Sequence, residues 1–212
     1  MKKAMLVLVI GLIGSALLVG CGGDKKETAN NQNNNSQTEQ AKENNTPEYK
    51  EVYKSGFYEV GKDLPAGEYL IMRDKLNKQA ETSVAVTKDS KKEDEIFDES
   101  MMGNIYVILQ NGQYLEVKNG DIYPVDKAPS NTPEDKVYKD GMYKVGKDIK
   151  AGTYDVKAIK NNGSDDGSIE ITKDSSHSDK SVISKKEFKD TEKVTLKDGE
   201  YIILDDAEIT VK

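Results

Sequence analysis

The 212-residue sequence predicts an all-β protein: two tandem small antiparallel β-sandwich or barrel domains that follow a signal peptide and a disordered tether. Three observations carry that expectation. The segment from Tyr53 to Tyr69 aligns without gaps with the segment from Tyr138 to Tyr154, 85 residues further on, with 11 of 17 positions identical. Self-similarity at a fixed offset marks duplication of a folding unit. Val84 and Val86, Ile169 and Ile171, and Tyr69 and Ile71 alternate with other residues, as a strand with one buried face requires. Asn111-Gly112 and Asp198-Gly199 fall between apolar runs, a strong short-range signal for a hairpin.

In chain order, the first element is the signal. Lys2 and Lys3 precede a 16-residue apolar stretch from Ala4 to Val19, broken only by Gly11, Gly14 and Ser15. A bilayer span needs about 20 apolar residues, so this shorter stretch reads as a secretion signal. It ends on Leu18-Val19-Gly20-Cys21, which resembles the lipobox of bacterial lipoproteins. That resemblance implies cleavage just before Cys21, the chain's single cysteine, and attachment of its thiol to diacylglycerol. Two acyl chains anchor stably where one binds marginally, at about 0.8 kcal/mol per buried methylene. The implied location is the cell membrane, lipid-anchored on its extracytoplasmic face, with membrane lipid as the partner of Cys21.

Removal of residues 1–20 takes away two lysines and no acid, changing the net charge from -7 to -9. Residues 21–45 then read as a lipidated, disordered polar tether: Asn, Gln, Lys and Glu dominate, and so few apolar side chains cannot offset the entropy of ordering. About 25 such residues reach roughly 25–30 Å. A Gln/Asn-rich aggregation segment is the rival reading, which the interspersed charges and missing aromatics disfavour.

The two copies follow, at residues 46–126 and 134–212, with a connector at 127–133 bracketed by Pro129 and Pro133. Six or seven short strands are expected in each. The dense apolar runs from Ile105 to Leu109 and from Tyr201 to Leu204 read as central strands. Weak periodicity leaves a short helix open around Lys91 to Ser100 and around Lys185 to Thr191.

Val60 to Tyr69 and Val145 to Tyr154 share Val-Gly-Lys-Asp-(Leu/Ile)-x-Ala-Gly-x-Tyr. The motif resembles one that recurs in surface proteins and lipoproteins of Gram-positive bacteria, a resemblance that implies no activity. From the residues alone it is either a turn, with glycine at positive φ and Asp63 or Asp148 bonding nearby amides, or a paired ligand-contact loop presenting Lys62, Asp63, Lys147 and Asp148. Eight of the eleven tyrosines form equivalent pairs (Tyr53/Tyr138, Tyr58/Tyr143, Tyr69/Tyr154, Tyr114/Tyr201), which points first to packing and second to sugar stacking.

Composition narrows the function. Arg73 is the single arginine among 31 basic residues, and the net charge repels polyanions, so nucleic-acid recognition is excluded. One histidine and a lipid-bound cysteine leave no zinc ligand set, and Asn161 to Ser168 only partly matches a calcium loop, so no metal or cofactor is expected. Asp174 to Asp179 places serine, His177 and aspartate together, but adjacency in a polar loop makes a solvated turn, not a triad. Paired carboxylates such as those of Glu93-Asp94-Glu95 and Asp205-Asp206 read as solvated edges. The expected function is a non-enzymatic binding or envelope-associated module, with cell-wall glycan or a surface or membrane protein as partner. The alternatives are an accessory or spacer lipoprotein of a membrane complex and, third, a wall-acting hydrolase.

Overall fold

The computed structural model describes residues 50–74, 76–77, 79–159 and 166–211. The signal stretch, the lipobox with Cys21, the tether, and residues 161–165 of the calcium-like segment lie outside the described residues.

Every regular element among them is a strand. The first copy holds β1 (Gly56–Glu59), β2 (Gly67–Arg73), β3 (Thr82–Thr87), β4 (Glu95–Met101), β5 (Ile105–Leu109), β6 (Tyr114–Lys118) and β7 (Gly120–Pro124). The second holds β8 (Val137–Tyr138), β9 (Gly141–Lys144), β10 (Gly152–Ala158), β11 (Gly167–Thr172), β12 (Val182–Phe188), β13 (Thr191–Leu196), β14 (Tyr201–Asp205) and β15 (Ala207–Thr210). All pairings between these strands are antiparallel.

The duplication extends to topology. Sheet orders β1-β6-β3-β4 and β5-β2-β7 in the first copy become β9-β14-β11-β12 and β13-β10-β15-β8 in the second. The extra strand β8 corresponds to a single bridge, Tyr53 to Ile122. In each copy the two sheets face each other over one core. Tyr69, Ile71, Ile105 and Val107 meet Val84, Val86, Leu115 and Val117 in the first. Val156, Val194 and Ile209 meet Ile169, Ile171, Ile202 and Leu204 in the second. Alternation puts every second residue of a strand into that core.

Three expectations are corrected. The segments around Lys91 to Ser100 and Lys185 to Thr191 are not helical: they supply edge strands β4 and β12 and the start of β13. Edge strands carry charge that deters pairing with other chains, and that charge obscured their alternation. The Asn-Gly and Asp-Gly turns do not close hairpins, because β5 and β6, like β13 and β14, belong to opposite sheets. Only the glycines, Gly112 and Gly199, have positive φ there (85° and 87°), whereas the hairpin turn needs it at both central residues. Finally, β5 is an edge strand and not a central one. Its outward residue Tyr106 is buried because the second copy covers it.

The two copies form one compact unit. Leu70 and Tyr106, on the outer face of β2 and β5, pack against Met142 and Tyr201 on β9 and β14. Tyr106 and Tyr201 meet edge to face at 5.5 Å. The connector joins this contact: Asn131 is 6% exposed, accepts Asn104 Nδ2 at 2.7 Å and donates to the Met142 carbonyl at 3.0 Å.

Candidate functional site

The repeated motif builds the same loop twice. Gly61 N–H donates to the Leu64 carbonyl at 2.7 Å, and Gly146 to Ile149 at 2.7 Å. Gly61 (φ 94°) and Gly146 (φ 90°) lie under the following turn: a Cβ would meet Asn111 Oδ1 at 2.9 Å or Asp198 Oδ1 at 3.0 Å. Asp63 Oδ2 accepts the Glu59 N–H at 2.8 Å, and Asp148 Oδ2 the Lys144 N–H at 2.9 Å. The terminal tyrosines close the loop, Tyr69 O–H donating to the Pro65 carbonyl and Tyr154 O–H to the Lys150 carbonyl. The loop-closing bond uses only the carbonyl of that position, so the turn itself accepts proline or lysine there.

The four motif residues therefore divide. Both aspartates hold backbone, and Asp148, 5% exposed, also accepts Tyr106 O–H at 2.7 Å and Asn131 Nδ2 at 3.4 Å. Both lysines point outward. Lys62 pairs with Glu59 at 3.3 Å, whereas Lys147 Nζ donates to the Val125 carbonyl at 2.9 Å. Beside Lys147 lies a concavity of about 460 Å³ with Tyr138, Tyr154 and Ile149 among its walls and Lys136 and Lys150 on its rim.

A second polar centre sits between the copies. Glu68 Oε2 accepts Lys144 Nζ at 2.8 Å, while Oε1 accepts Ser175 Oγ at 2.8 Å and a short hydrogen bond from Tyr201 O–H. Burial opposes ionisation of Glu68, but the bonds from Lys144, Tyr201 and Ser175 outweigh it and hold its carboxyl below the usual value of 4.5. Burial, reinforced by the bond to Glu68, pushes the Tyr201 hydroxyl up to about 12. Lys144 loses solvation too, yet Glu68 and Tyr201 keep it above its ordinary value. This centre is a partly buried ion pair in which Glu68 accepts from Lys144, Tyr201 and Ser175.

The expectation of a solvated turn around His177 is corrected by this interface. Its ring stacks on Phe97 of the first copy at 4.3 Å and 18°, and Nε2 bonds the Tyr106 carbonyl at 2.7 Å. The adjacent Ser175 carbonyl accepts the Ile108 N–H at 3.0 Å. The loop thus seals the open edge of β5. Ser175 Oγ is directed to Glu68 and the histidine to a carbonyl, so no serine is activated by this imidazole.

Among the described residues, Asp140, Asp205 and Asp206 form a group of carboxylates with ligand atoms within 4.8 Å of one another. Burial and the neighbouring Asp206 raise Asp140; burial and Asp206 likewise raise Asp205. The first copy has Ser55, Lys118 and Asn119 at these places, and Ser55 Oγ bonds the Gly120 backbone at 2.9 and 3.1 Å. The group occupies a strand corner, where Asn119 (φ 56°) and Asp206 (φ 47°) turn the chain from one sheet to the other. Asp94 of the other acidic pair bonds Lys88 at 3.0 Å on an exposed surface.

Sequence reasoning did not find the residues that join the copies. Their signal is the failure of equivalence: Tyr106 has no tyrosine counterpart, and Leu70-Ile71-Met72 stands where the second copy has Asp155-Val156-Lys157. In comparisons with known proteins, no family model matches the chain, and no curated protein or solved structure matches it.

Proposed function

We propose that the protein is a lipid-anchored, extracytoplasmic lipoprotein whose two joined β copies form a non-enzymatic binding or envelope-associated head. The carrying observation is Leu18-Val19-Gly20-Cys21 placed directly after a basic start and a 16-residue apolar stretch. A small-residue stop followed by the chain's single thiol is the chemistry that lipid transfer needs. Binding rather than catalysis is favoured because Glu68, Tyr201, Ser175 and Lys144 in the polar centre between the copies bond one another, whereas Lys62 and Lys147 of the motif loops are exposed. The fixed inter-copy contact also suits the second reading, a spacer that holds a membrane complex at a set distance.

Acyl labelling of cells expressing the full chain or Cys21→Ala tests the anchor. The expected result is loss of label and release of the variant from the membrane fraction. Retention of both in Cys21→Ala defeats the lipoprotein assignment.

A further inference from the structure

We propose that the concavity beside the second motif loop binds the phosphate group of a small polyol phosphodiester. Three lysines surround it: Lys136, Lys147 and Lys150. Elsewhere lysines commonly meet carboxylates, as Lys54 meets Asp121 and Lys185 meets Glu170. These three have no carboxylate partner among the described residues. Lys147 Nζ is held by a neutral carbonyl, that of Val125. The one carboxylate in the walls, Asp148, is engaged by Lys144 N–H, Tyr106 O–H and Asn131.

The lysines stand on fixed backbone. The Lys136 carbonyl accepts the Val211 N–H at 3.0 Å, Lys147 lies within the Gly146-to-Ile149 turn, and the Lys150 carbonyl accepts Tyr154 O–H at 2.8 Å. Ordering the site therefore costs side-chain freedom alone. Lysine ammoniums are compact point charges with rotatable donors, and several of them together can meet the oxygens of a single phosphate without the planar fork of an arginine. The volume of about 460 Å³ takes more than the phosphate, and the half-buried Tyr154 in its wall gives the C–H face of a polyol a surface.

The first copy is the internal control. It has Glu51 for Lys136 and Pro65 for Lys150, and its Lys62 is paired with Glu59. Three positive charges in one copy correspond to a neutral set in the other. The concavity is therefore locally positive on a chain whose net charge is negative, which suits one small anion and not an extended polyanion.

The proposal goes beyond the lipoprotein assignment and does not depend on acylation of Cys21, so binding and labelling fail separately. The test is calorimetric titration of the full chain in nonionic detergent with sn-glycero-3-phosphoglycerol, with glycerol as the uncharged comparison. Binding to the phosphodiester and not to glycerol is expected, weakening as salt is raised. Lys136→Glu with Lys150→Pro, which copies the first repeat, should weaken it by about tenfold or more. Lys139→Gln, a surface lysine outside the concavity, should leave it unchanged. Competition by phosphatidylglycerol but not phosphatidylcholine vesicles would identify a lipid headgroup as the source; its absence would identify a soluble or polymeric phosphodiester. Wild-type protein that gives no binding at millimolar ligand, or a double variant of unchanged melting temperature that binds equally well, overturns the proposal.

Discussion

The two copies share strand order, core and motif loop, yet their outer faces differ by chemistry. In the first copy Leu70 sits opposite Tyr106 on adjacent strands; at the same rung of the second, Asp155 sits opposite Lys193 and pairs with it. The apolar rung is covered by the other copy, while the charged rung faces solvent. On the remaining sheet the contrast reverses. Met142 opposite Ile203 and Lys144 opposite Tyr201 are engaged in the contact, whereas their counterparts, Phe57 opposite Glu116 and Glu59 opposite Tyr114, are not. Phe57 is 42% exposed and stacks on Tyr114 at 5.7 Å. Cores preserve the fold and outer faces specify the neighbour, so after duplication only the faces needed to diverge. The resulting contact is heterologous, with a different surface contributed by each copy.

The strongest way to break this comparison is to write the second copy's face onto the first. Leu70→Asp with Tyr106→Lys sets charges against Met142 and Tyr201 and removes the bond to Asp148. A loss of about 3–5 kcal/mol is expected from the lost apolar burial and buried charge. Calorimetry should resolve two transitions in place of one, and the connector at 127–133 should become open to protease. One transition at the wild-type temperature would mean that these faces do not hold the copies together.

Glu68→Gln is the next largest, about 1–3 kcal/mol, because it leaves Lys144 without its counter-charge and weakens two hydroxyl bonds. It also tests the sign of the pH dependence. The folded carboxyl titrates below its ordinary value of 4.5, so its contribution is present above that value and is lost as pH falls through the folded one. Lys144 is raised, so its contribution is present below 10.5 and is lost as pH rises through its folded value. Melting temperatures between pH 7 and pH 3 should fall further in wild type than in Glu68→Gln; parallel curves would remove Glu68 from the inter-copy contact.

Gly61→Ala and Gly146→Ala sharpen the comparison from the conserved side. Each forces a side chain into positive φ and against a turn oxygen, at about 1–2 kcal/mol. Near-equal falls in melting temperature are expected, since the loop is the same scaffold twice. A difference exceeding the effect itself would show that the two loops are not structurally equivalent.

Much of this architecture was legible in the sequence. Duplication, β character and the motif loop are local patterns, carried by glycines, alternating apolar residues and tyrosines at matched positions. The strand assignments failed where a second surface intervened. Ile105 to Leu109 reads as continuous apolar sequence because its outward Tyr106 is covered by Met142 and Tyr201 of the other copy, distant in the chain. The Asn111-Gly112 signal marks a tight turn correctly but cannot reveal that the chain changes sheets there. For the concavity, Lys147 and Lys150 lie within a recognisable motif, Lys150 at its variable position, whereas Lys136 stands out only once folding brings it beside them.

The contact between Leu70/Tyr106 and Met142/Tyr201 also needs two unlike faces, which makes the difference between the copies part of the encoded structure. A tandem of two second copies would instead present Asp155 and Lys193 to Met142 and Tyr201. Each copy would keep its own core, but the complementary joint would be lost, and the chain would spell two separate beads.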